Sequence, residues 1–130
     1  MCRLVGIDTN FNTEIKVADI KAVYIMNIME KAVICQNIRS IYLFGSVLKE
    51  ECEQESDIDL LVVSDVTRSK LYKTKSFQRF MVKLHDRDDY FQQYDVICVH
   101  GMNELEKNKN KIVLYNEILT NGMELYRRDG

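Results

Sequence analysis

The spacing of apolar and polar positions changes along the chain. From about Asp19 to Gln36, apolar residues recur at helical spacing: Ile20, Val23, Met26 (or Asn27), Met29 (or Glu30) and Val33. That period predicts a helix with this face on the core. Asp19 is placed to cap its start and Asn37 to stop it. Ile41-Tyr42-Leu43-Phe44 is a short run of β formers ended by Gly45, and it predicts a buried strand. A short helix is expected from Val47 to about Glu51. Ile58–Val63 predicts a second strand and Tyr94–Val99 a third. Between them, Thr67 or Ser69 can cap a helix running to about Leu84, with Leu71, Phe77, Phe80, Met81 and Leu84 facing inward. His85-Asp86-Arg87-Asp88-Asp89 reads as a polar turn. A last helix is expected from about Lys111 to Asn121, with Gly122 as its left-handed terminating residue. Residues 1–14 show no clear period, and Asp8–Asn12 reads as a loop or loose arm.

The order is helix, strand, short helix, strand, helix, strand, helices. It predicts an α/β (α+β) chain, a small mixed sheet of about three or more strands packed with helices. No repeat, linker or composition break divides the 130 residues, so a single domain over 1–130 is expected, with 1–14 as its arm.

Composition narrows the function classes. With 46% hydrophobic residues and a net charge of −2, the chain has the makings of a core and lacks the basic excess of a nucleic-acid coat. The basic residues Arg68, Lys70, Lys73, Lys75, Arg79 and Lys83 read as a solvated helix face. Cys2, Cys35, Cys52 and Cys98 form no C-x-x-C pair, which argues against zinc, and free thiols in a cytoplasmic protein are expected. His85 and His100 lack partners at metal-ligand spacing and read as structural. No apolar stretch approaches the length of a membrane span, and Met1–Gly6 lacks the apolar core of a signal peptide.

The chemistry-bearing pattern is Phe44-Gly45-Ser46, then ten residues, then Asp57-Ile58-Asp59. A strand that turns at Gly-Ser presents backbone N–H groups to an anion, Gly45 lets a phosphate approach the backbone, and the Ser46 hydroxyl adds a donor. A lone Gly-Ser is only a turn. Asp57 and Asp59 share one strand face, about 6–7 Å apart at Cα, and two carboxylates so placed repel unless a cation lies between them. Hard oxygen ligands beside phosphate suit Mg²⁺. Asp95 also leads an apolar strand, and it joins the same cleft if the two strands are neighbours. Three carboxylates would then suit a two-metal scheme. Taken singly, each acid is more simply a solubilising strand end.

Leu43-Phe44-Gly45-Ser46 and Ser56-Asp57-Ile58-Asp59-Leu60-Leu61-Val62 together resemble the signature of the polymerase-beta-type nucleotidyltransferase superfamily. The nearest branch is the minimal nucleotidyltransferases (MNT), whose ending Tyr115–Tyr126 also resembles. The resemblance spans about residues 19 to 127. It implies the polymerase-beta-type fold and a Mg²⁺-dependent enzyme that transfers a nucleoside monophosphate, AMP from ATP or its counterpart from another NTP. Gly45 and Ser46 would bind the phosphates with Lys49 as the basic residue. Asp57 and Asp59 would ligate Mg²⁺, and Asp95 would ligate the catalytic ion, two ions in all, and help deprotonate the acceptor. The chain departs from the family at Glu50, where glycine is common, and in the acidic flank Glu51, Glu53 and Glu55. Members of this branch act as antitoxins that modify a tyrosine of a HEPN-type toxin partner, and the resemblance leaves an oligomer open. The competing expectations are a catalytically weak module that masks a partner, and aminoglycoside-type nucleotidylation of a small molecule.

Overall fold

The computed structural model describes residues 1–85 and 92–128. Its main sheet has four strands in the order β5-β4-β3-β6: β3 Ile38–Phe44, β4 Ile58–Ser64, β5 Tyr94–His100 and β6 Met123–Arg127. β3 pairs antiparallel with β4 and with β6, while β4 and β5 are parallel. A parallel pair needs a crossover, here carrying helices α2 (Arg68–Lys73) and α3 (Lys75–Lys83). β4 is central and covered on both faces, which is why it reads as a continuous apolar run.

Alternation along β4 separates two apolar cores. Ile58, Leu60 and Val62 face the larger one, shared with helix α1 (Ala22–Ala32), α3 and an N-terminal hairpin. Leu61 and Val63 face a smaller one, completed by Leu105 of α4 (Met102–Asn108) and by Tyr115 and Ile118 of α5 (Val113–Asn121).

Residues 1–14 are not a loose arm. β1 (Leu4–Asp8) pairs antiparallel with β2 (Glu14–Ala18) across the 9–13 turn. Thr9 N donates to Thr13 O at 2.9 Å, and Asn12 takes the left-handed conformation at φ 63°. Ile7, Ile15 and Val17 are buried against the larger core. At the hairpin tip, Asn10 Nδ2 donates to Arg127 O at 2.6 Å and Arg127 N donates to Asn10 Oδ1 at 2.9 Å, fastening the hairpin to β6.

α1 turns a different face inward from the one its spacing predicts. Ile25, Ile28 and Ala32 are fully buried; of the expected face, Asn27 is buried and Met29 half-buried, whereas Ile20, Val23, Met26 and Val33 are exposed. The helix is apolar on both sides, so periodicity alone cannot phase it. Asp19 lies inside a 3-10 turn, Asp19–Lys21, rather than capping α1. The single helix expected to Leu84 is broken at Thr74, whose extended backbone (ψ 127°) ends α2 and starts α3. Of its inward set, Leu71, Phe77, Phe80 and Leu84 are buried and Met81 is half-buried against the same core, and Thr67 Oγ1 accepts from Lys70 N. The polar turn expected at 85–89 lies, from residue 86 on, outside the described residues. Gly122 ends α5 in an extended conformation (φ −68°), not a left-handed one; a Cβ there would meet Ile118 O at 2.5 Å. All four cysteines are free and buried. No helix among the described residues is long and apolar enough to cross a membrane.

Candidate active site

Strand direction brings four chain segments to one end of the sheet. β3 ends there at Phe44, and β4, running the other way, starts there just after Asp57. β5 starts there because it is parallel to β4, and β6 starts there because it is antiparallel to β3. The register places Phe44, Asp59 and Asp95 side by side on three adjacent strands. Alternation puts Asp59 on the side of Leu61 and Val63, and Asp95 on the side of Ile97 and Val99, so both carboxylates share the smaller core's face. Asp57 has the same parity and is exposed just before the strand.

The chain leaves β3 through Gly45 at φ 79°, a region open to glycine at little cost. A four-residue 3-10 turn, Gly45–Leu48, follows in place of the expected helix at 47–51. It is too short for an appreciable dipole, so any phosphate contact there falls to backbone N–H groups and the half-buried Ser46. Gly45 has a second constraint that spacing could not reveal. A Cβ built on it would lie 2.4 Å from Asp59 Oδ2. The absent side chain is what makes room for the carboxylate.

Electrostatics mark the same spot. The pKa of Asp59 is pushed up to about 6, first by burial and then by the negative charges of Asp95, Asp57 and Glu117. Glu117, on α5, was not singled out by sequence reasoning; only the packing of α5 over this strand end brings it to Asp59. Beside the acids opens a cleft of about 360 Å³. It is bounded by Gly45, Leu48 and Lys49 after β3, Leu4 and Lys16 of the hairpin, and Glu117 and Asn121 of α5. Lys49 and Lys16 therefore present cations to a cavity whose other wall carries Glu117.

No three His, Cys, Asp or Glu side chains among the described residues make an ion cage by themselves. Mg²⁺ rarely asks for one, since it is held by one or two carboxylates together with substrate phosphates. A half-buried carboxylate, Asp59, repelled by exposed acids beside a turn that offers N–H groups suits a divalent cation arriving with a triphosphate.

A mixed sheet that opens a Gly-Ser turn onto paired acids defines a nucleotidyl-transfer fold. The chain belongs to the polymerase beta nucleotidyltransferase family, whose pattern matches residues 24–130. The hairpin precedes the matched segment. No curated protein matches the chain. Its fold is similar to that of a chain in the solved complex of tri-AMPylated Shewanella oneidensis HEPN toxin with MNT antitoxin, at TM-score 0.50 and 20% identity over 83% of this chain and 73% of that one.

Proposed function

We propose that this nucleotidyltransferase moves AMP from ATP to a tyrosine hydroxyl of a HEPN-type protein partner, in an antitoxin role. The observation that carries the reading is the row Phe44–Asp59–Asp95, which sets two acids against the Gly45 turn. The partner and the AMP are suggested by the tri-AMPylated toxin in the similar complex.

Gly45, Ser46 and Lys49 bind the phosphates, and Asp57, Asp59 and Asp95 hold Mg²⁺, two ions when fully loaded. Bound Mg²⁺ supplies neutralisation of the triphosphate charge and acidification of the attacking hydroxyl. The acceptor oxygen forms a bond to the α-phosphorus, the bond from that phosphorus to the β-bridging oxygen breaks, and pyrophosphate leaves. The hydroxyl proton passes to the Asp95 carboxylate, which is exposed and stands on a separate strand from Asp59.

The test is incubation of the protein with labelled ATP, Mg²⁺ and a HEPN-type protein encoded by a neighbouring gene. Label on a tyrosine of that protein is expected. Absence of label, with a stable complex formed all the same, would replace catalysis by masking.

A further inference from the structure

Behind the acids lies a buried cation. Lys21, in the 3-10 turn before α1, is 1% exposed. Its ammonium donates to Gln54 O at 2.9 Å, to Ser56 O at 2.7 Å and to Gln92 Oε1 at 2.5 Å. Those three bonds use every proton an ammonium has. Gln92 Nε2 donates in turn to Ser56 O at 3.1 Å and to Gln93 O at 2.7 Å. Gln93 O also accepts from Ile58 N at 3.0 Å. One ammonium and one amide thus tie the residues immediately before β4 to the residues immediately before β5. Asp57 follows Ser56 directly, and Asp95 lies one residue inside β5.

All three acceptors of the ammonium are neutral. Burying a charge without a touching counter-ion is costly, and an uncharged donor could bridge the same carbonyls at less cost. The charge is instead aimed at the acidic end of the sheet. Burial pulls the Lys21 pKa below the ordinary lysine value, while Cys52, Asp57 and Glu55 act in the opposite direction. Asp57 itself stands just outside the β4 ladder, so the ladder alone does not fix it.

Resting on the nucleotidyltransferase reading, we propose that Lys21 is a positioning residue that clamps the entries of β4 and β5 together, so that Asp57 and Asp95 meet one metal-bound nucleotide. It touches neither nucleotide nor acceptor. Its effect belongs to metal affinity and turnover, not to capture of the triphosphate by the Gly45 turn.

The experiment compares the full-length wild type with Lys21→Met and Gln92→Leu, below the melting temperature of each. Mn²⁺ affinity in the presence of ATP is read by electron paramagnetic resonance, and AMP transfer is read as separate kcat and KM. Groups that orient metal ligands from behind change affinity or turnover by about 10- to 100-fold when removed. Lys21→Met is expected to weaken Mn²⁺ and lower kcat by about that factor, with the KM for ATP, measured at a metal concentration that saturates each protein, changed less than about threefold. Gln92→Leu, which leaves the ammonium in place, should show the same split to a smaller extent, and it carries the test if Lys21→Met does not fold. A lower melting temperature with wild-type Mn²⁺ affinity and kcat would overturn the proposal. A wild type that binds Mn²⁺ with ATP and transfers nothing would count against the proposed function alone, because the Mn²⁺ comparison still decides the role of Lys21.

Discussion

The two ends of the β4–β5 pair treat charge in opposite ways. At the far end, where both strands finish, the charged groups meet polar partners. Arg68 Nη2 donates to Cys98 O at 3.0 Å, and Glu104 accepts from His100 N at 2.9 Å and from Tyr115 Oη at 3.3 Å. At the near end, Asp57, Asp59, Asp95 and Glu117 face one another, and Asp59 is held toward its protonated form. One end stabilises the chain. The other stores a repulsion that a cation would relieve, and that difference separates a site from a surface.

The contrast breaks most visibly at Asp95. Asp95→Asn keeps the side chain's size and removes its charge. AMP transfer should fall by about 10²- to 10⁴-fold, as for loss of a proton acceptor, with little loss of ATP affinity. Equal transfer by both proteins in a labelled-ATP assay would return Asp95 to the status of a solubilising strand end.

Gly45→Ala comes next. The positive φ alone should cost about 1 kcal/mol, and the added Cβ must displace the Asp59 carboxylate. The melting temperature should drop, and Mg²⁺-dependent ATP binding should weaken by at least about tenfold. If the turn served only for phosphate approach, Asp59→Ala would not restore the stability of Gly45→Ala; the packing seen here predicts partial restoration.

The smallest effect is the most direct comparison of the two ends. Because the folded-state pKa of Asp59 is raised from the usual 3.8 to about 6, the folded state binds the extra proton across that window. Stability without divalent cations should therefore fall as pH rises from about 4 to 6, and the loss persists above it. After allowance for solvent screening, Asp59→Asn should recover on the order of 1 kcal/mol at neutral pH and flatten that slope. At the far end, Glu104→Gln weakens two hydrogen bonds to a carboxylate and should cost about 1 kcal/mol instead. Thermal melts in a chelating buffer at several pH values read both signs.

Legibility in the sequence followed the same division. β3 and β4 could be read because interior strands are unbroken apolar runs, and the edge strand β5 because Val96–Val99 is a compact apolar run; the Gly-Ser and Asp-x-Asp spacing travelled with them. The hairpin could not, although Glu14-Ile15-Lys16-Val17 alternates, because two half-exposed five-residue strands give a weak signal beside a polar turn. β6 hid behind α5, since Met123–Arg127 is short and follows a helix with no left-handed stop. The face of α1 was misjudged because apolar residues lie all around it. Within the site, the three aspartates were accessible from local pattern, and their register was not. Lys21 and Glu117 carried no signal at all. One is a cation inside a helical run and the other an acid on an amphipathic helix, and only the tertiary packing gives either a partner.

The central claim is that the acid-lined end beside Gly45 is a metal-dependent nucleotide site. Calorimetric titration of ATP, with and without Mg²⁺, against the wild type and the Asp57→Asn, Asp59→Asn double variant tests it most directly. The account predicts binding by the wild type that requires Mg²⁺ and is abolished in the double variant while the fold, followed by its thermal melt, is retained. ATP binding of equal strength in the two proteins, or binding by the wild type indifferent to Mg²⁺, would contradict it.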